Sequence, residues 1–104
     1  MKLEHVNEER FAKNLSRAIQ IATISHEDEA DTDWTKFKEF HDFLKEAYPK
    51  TFSTLDVEEV GRAGLILHWN GSDDTLDPIG FLAHQDVVPV APGTEDDWTN
   101  PPFS

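Results

Sequence analysis

Apolar residues in the first half of the chain recur at steps of three and four, and in the second half they fall into short alternating or unbroken runs, so helices are expected first and strands after them. Asn7 is a good helix cap, Glu8 and Glu9 suit the positive end of a helix dipole, and Phe11, Leu15, Ala18, Ile19 and Ala22 follow on one face. This predicts a first helix from Glu8 to about Ile24. A polar acidic loop runs to Asp33, after which Trp34, Phe37, His41, Leu44 and Tyr48 form a second amphipathic stripe that Pro49 must end. His41 lies among aromatic and aliphatic residues on that stripe and reads as a packed side chain rather than a ligand.

From Phe52 the texture changes. Two β-rich segments, Thr54 to Val60 and Leu65 to Trp69, flank Gly61-Arg62-Ala63-Gly64 and predict a hairpin. In its second strand Leu65, Leu67 and Trp69 share one face and Ile66 and His68 the other, which makes His68 a half-exposed strand residue. The turn-rich stretch from Gly71 to Pro78 leads into Ile79-Gly80-Phe81-Leu82-Ala83, whose lack of alternation predicts a strand covered on both faces in the middle of a sheet. From Pro89 to Ser104 the chain reads as a loop, with Pro92, Pro101 and Pro102. Helices followed by strands, one of them buried, predict an α/β layered arrangement. In such sheets ligands bind outside the carboxyl ends of the strands, where His84 and Asp86 fall.

Bulk properties narrow the chemistry. The chain has 104 residues, 38% of them hydrophobic, enough for one small domain. Its 21 acidic and 9 basic residues give a net charge of -12, which argues against nucleic acid or an anionic membrane as partner. The acidic groups Glu27-Asp28-Glu29, Glu58-Glu59 and Glu95-Asp96-Asp97 lack the ligand spacing and fixed glycine of a calcium loop, so they read as solvated loops and helix starts. There is no cysteine, so a metal would have to be held by His, Asp or Glu. No serine sits in a nucleophile elbow and no glycine pattern cradles phosphate. The start Met1-Lys2-Leu3-Glu4-His5 is charged where a signal peptide would be apolar, and no window approaches the roughly 20 apolar residues of a membrane span. The expectation is a soluble, cytoplasmic protein.

His84 and Asp86 are two apart on an extended segment, so their side chains share a side. The spacing suits a metal-ligating imidazole whose other nitrogen is held by a carboxylate. It suits a hydrogen-bonded turn histidine as well, because one imidazole alone cannot hold zinc against water.

Two blocks carry a resemblance that spacing could not. Phe81-Leu82-Ala83-His84-Gln85-Asp86-Val87-Val88-Pro89-Val90, followed by Trp98-Thr99-Asn100-Pro101-Pro102-Phe103-Ser104, resembles the first metal-site signature of the zinc exopeptidase and deacylase family that includes aminoacylase, carboxypeptidase S, acetylornithine deacetylase and succinyl-diaminopimelate desuccinylase. Upstream, the helix from Phe11, the aromatic helix ending at Tyr48-Pro49 and the hairpin through Trp69-Asn70-Gly71-Ser72 are similar in order and length to the carboxypeptidase S and N-acyl-amino-acid amidohydrolase branch.

The resemblance implies that residues 1–104 are the N-terminal portion of the catalytic domain, a three-layer αβα zinc-exopeptidase-like fold. It implies a pair of zinc ions, with cobalt or manganese also acceptable to such ligands. His84 would be a ligand of one metal and Asp86 the catalytic-site carboxylate that orients it. The substrate would be a peptide or N-acyl amino acid with a free carboxylate. In that family the bridging aspartate, the glutamate base, the remaining ligands and a dimerisation domain come later, so a homodimer is implied for the intact protein and the 104 residues alone are expected to be inactive. Trp98, Pro101, Pro102 and Phe103 are assigned to shaping and packing the loop beside the site. Without neighbours for its buried strand, the chain is expected to be aggregation-prone or partly molten. The competing reading is a small acidic interaction module or a non-catalytic relative.

Overall fold

The computed structural model describes residues 4–104, and the charged start Met1-Lys2-Leu3 lies outside the described residues. Helix α1, Glu8–Ile19, opens as the sequence predicts, with the Asn7 side chain accepting the Arg10 N–H at 2.9 Å and Glu8 and Glu9 in its first turn. It stops at Ile19 instead of continuing to Ile24. Thr23, Ile24 and Ser25 are claimed by a tertiary contact: the Val87 N–H donates to the Thr23 carbonyl at 2.9 Å and the Ser25 N–H to the Val87 carbonyl at 3.0 Å, a parallel bridge between Ile24 and Val87. The β-branched side chains of Ile21, Thr23 and Ile24 fit that extended backbone better than a helix.

Helix α2, Trp34–Ala47, is capped by Asp33, whose carboxylate accepts the Thr35 N–H at 3.0 Å. Of the expected stripe it buries Phe37 and His41, and it buries Phe43 from outside that stripe while Tyr48 is exposed; the two phenylalanines are the buried hydrophobic core among the described residues. Arg17 joins α1 to this helix, its guanidinium 5.0 Å over the Phe43 ring and 3.0 Å from the Glu46 carboxylate. Pro49 ends α2 and also opens α3, Pro49–Thr54, where a first-turn proline lacks only an N–H that has no helical partner anyway. The expected strand beginning at Thr54 therefore begins two residues later.

Strands β1, Asp56–Val60, and β2, Gly64–His68, pair antiparallel with Val60 opposite Gly64, Glu58 opposite Ile66 and Asp56 opposite His68. Gly61 takes φ 60° in the turn. A Cβ at Gly64 would lie 2.7 Å from the Val60 carbonyl oxygen, so the turn needs glycine at both ends. Arg62, between them, lies 5.3 Å over the Trp34 ring and seats the turn on α2. His68 stands on β2 and is exposed.

The segment 79–83 departs from expectation. It forms no strand, and Ile79, Phe81 and Leu82 are 82%, 93% and 99% exposed. An apolar run supplies side chains for a buried strand, but pairing needs free neighbouring edges that face it. Here β1 and β2 pair with each other alone, and the bridge to Ile24 begins only at Val87. The architecture is a partial α/β domain, and the central-strand layer of the expected sandwich is not assembled. The accessible surface is 9203 Å² against about 5,900 Å² for a compact protein of this mass, and the radius of gyration is 17.0 Å against about 13 Å.

Candidate functional site

The bridge between Ile24 and Val87 fixes the backbone just beyond His84 and Asp86, and strand-like alternation then sorts the motif onto two sides. Gln85 faces the protein. Its backbone carbonyl accepts the Thr23 hydroxyl at 2.7 Å, and its side-chain NH₂ donates to the Ala63 carbonyl at 2.6 Å. A carbonyl only accepts, so the amide orientation is settled, and Oε1 must be the atom that meets Nε2 of buried His41 at 2.6 Å. His41 therefore carries its proton on Nε2. It is a packed histidine, as expected, with a polar task.

His84 and Asp86 lie on the other side. Nδ1 of His84 is 2.9 Å from the Asp86 backbone carbonyl and 3.0 Å from its Oδ1. With two acceptors before it, Nδ1 holds the proton and the Nε2 lone pair is left to point away. The second carboxylate oxygen, Oδ2, accepts the Ser25 hydroxyl at 2.6 Å. That hydroxyl first, and the His84 ring next, hold the Asp86 carboxyl below the usual carboxylate range, so it is ionised at neutral pH. Both members are open to solvent, His84 at 85% and Asp86 at 45% side-chain exposure, so the pair adds little to stability.

This donor set fits one ligand position of a zinc site, an imidazole Nε2 backed by a carboxylate. It does not fit a whole site. Among the described residues no three His, Asp or Glu side chains come together to hold a metal. Glu95-Asp96-Asp97 form a short 3-10 turn. Trp98, Pro102 and Phe103 line an apolar groove of about 550 Å³ together with Ile21, Phe40 and Val87, and Trp98 is 53% exposed there. No helix among the described residues is long and apolar enough to cross a membrane.

Sequence reasoning did not select Thr23, Ser25 or Gln85. One signal was present: Thr23-Ile24-Ser25 alternates polar, apolar, polar, the period of a short strand. The stronger helical stripe upstream masked it.

A partial α/β domain with a carboxylate-backed histidine at the end of an extended segment is the kind of unit from which α/β hydrolytic enzymes build sites. The sequence comparisons give the particular kinship: the chain is homologous, over about nine-tenths of its length, to the carboxypeptidase and aminoacylase family. It is 39% identical over 97 residues to carboxypeptidase S of Saccharomyces cerevisiae, covering 88% of this chain and 17% of that protein. It is 40% identical over 101 residues to the N-fatty-acyl-amino acid synthase/hydrolase PM20D1 of Mus musculus, covering 93% of this chain and 19% of that protein. The protein of the same name from Xenopus tropicalis is 32% identical over 105 residues, covering 99% of this chain and 20% of its own length. The chain thus spans about a fifth of these relatives. No protein-family model matches it, and no solved structure gives a significant match.

Proposed function

We propose that the chain supplies one metal ligand, His84, and its orienting carboxylate, Asp86, to a zinc-dependent hydrolase that cleaves the amide bond of peptides or N-acyl amino acids bearing a free carboxylate. The observation that supports this reading is the 3.0 Å contact between His84 Nδ1 and Asp86 Oδ1, which leaves Nε2 free. Kinship to a carboxypeptidase and to an N-fatty-acyl-amino acid synthase/hydrolase supports the substrate class. Bound zinc would polarise the scissile carbonyl and bring the pKa of a coordinated water near neutrality. The residues of this chain do the preparatory work: Asp86 keeps the Nδ1 proton, Gln85 and Thr23 fix the backbone between them, and Trp98 and Phe103 pack the neighbouring loop.

The 104 residues by themselves are inactive in this reading, since a catalytic zinc takes about three protein ligands and they offer one. In the intact protein, His84→Ala should lose zinc, measured by elemental analysis, and lose hydrolysis of N-acyl amino acids. Unchanged zinc content together with unchanged hydrolysis would refute the ligand assignment. An intact wild-type protein that holds no zinc and hydrolyses no N-acyl amino acid or peptide would favour the interaction-module reading.

A further inference from the structure

His84 is 85% exposed at its side chain, so packing does not set the plane of its ring and its hydrogen bonds must. Those bonds are only as well aimed as the Asp86 carboxylate, and a carboxylate held at one oxygen turns easily about its broad terminal torsion. In this structure it is held at both. Oδ1 faces His84 Nδ1 at 3.0 Å and Oδ2 takes the Ser25 hydroxyl at 2.6 Å. Ser25 is itself fixed, because its N–H donates to the Val87 carbonyl at 3.0 Å within the parallel bridge. We propose that Ser25 is a positioning residue for the His84 imidazole, acting through Asp86, an inference that rests on the reading of His84 as a metal ligand.

The chain of contacts runs from the backbone bridge to the Ser25 hydroxyl, to the Asp86 carboxylate, to the Nδ1 proton, and so to the free Nε2. Removing the hydroxyl lets the carboxylate rotate and leaves the Nδ1 proton with the Asp86 backbone carbonyl alone. The imidazole then relaxes toward the tautomer with its proton on Nε2, the atom a metal needs bare.

The test uses the intact protein stripped of metal and labelled on its histidine rings, with the His84 signal assigned by its loss in His84→Ala. The ring carbon and nitrogen shifts report the tautomer directly. The wild type should show the proton on Nδ1, Ser25→Ala should shift the population toward Nε2, and Ser25→Thr, which keeps a hydroxyl, should restore the wild-type pattern. On an Asp86→Ala background Ser25→Ala should add nothing. With zinc supplied against a competing chelator, Ser25→Ala should bind about tenfold more weakly than the wild type and Ser25→Thr nearly as well.

A wild-type His84 protonated on Nε2, or a tautomer indifferent to Ser25→Ala, would overturn the inference. Should Ser25→Ala not fold, the wild-type tautomer and Ser25→Thr still decide it: a folded threonine variant that loses the Nδ1-protonated form overturns it. The tautomer is read without metal, so its failure is separable from that of the ligand assignment, which falls on unchanged zinc content and unchanged hydrolysis in His84→Ala.

Discussion

His41, on the buried face of α2, and Gln85, between the two site residues, share a 2.6 Å hydrogen bond from the ring Nε2 to the amide Oε1. The same amide donates to Ala63 in the hairpin turn, so one side chain ties α2, the hairpin and the site segment together. Gln85→Leu would leave a buried N–H and a carbonyl without partners, at a cost of about 1–3 kcal/mol. The urea midpoint of the intact protein should fall accordingly. An unchanged midpoint would mean that the amide is not a structural tie.

Val87→Pro removes the N–H that the Thr23 carbonyl receives at 2.9 Å and places a ring against the bridge. The Ser25 amide, protected by its bond to the Val87 carbonyl, should then exchange with solvent at a rate near that of an unstructured peptide. Retained protection would show that 23–25 is held by something other than this pairing.

The two glycines of the hairpin should not respond alike to alanine. At Gly61 a Cβ meets nothing within 4 Å, and the cost is that of a left-handed residue, about 1–2 kcal/mol. At Gly64 it meets the Val60 carbonyl oxygen at 2.7 Å, and backbone must move. Gly64→Ala should therefore lower the protection of the β1 and β2 amides more than Gly61→Ala does. Equal effects would contradict the turn geometry.

Asp33 makes the start of α2 sensitive to acid. The Thr35 hydroxyl, and then the Thr35 N–H, hold its carboxyl below the usual range. A group with a lowered native pKa contributes stability above its unfolded value, about 3.9, and loses that contribution as pH falls through the native value. Protection of the Thr35 amide should be level from neutral pH to about 4 and decline below it. Asp33→Asn, which can still accept from the Thr35 N–H, should flatten that decline. An identical acid profile in the variant would remove Asp33 as its cause.

The 104 residues in isolation should bind a dye specific for exposed apolar surface and unfold over a broad range of urea, since among the described residues Phe37 and Phe43 are the buried hydrophobic ones while Phe81 and Leu82 stand in solvent. A sharp, reversible transition with a slope normal for the size would contradict this.

Helix α2 was legible in the sequence because its determinants are local: the stripe from Trp34 to Leu44, the Asp33 cap and the stop at Pro49 all lie within or beside it. The hairpin was legible through Gly61 and Gly64, and the shared side of His84 and Asp86 follows from alternation alone. What the tertiary structure decided depends on partners far along the chain. The end of α1 was set by Val87, the Asp86 carboxylate by Ser25 at a separation of 61 residues, and the Gln85 carbonyl by Thr23 at 62. The alternation at 23–25 hints at a short strand, but nothing in it names the partner, because a hydrogen bond across such a distance depends on residues that are ordinary loop residues without each other. The same reason explains 79–83: five residues can be apolar enough for a buried strand, but burial belongs to the neighbours that cover them.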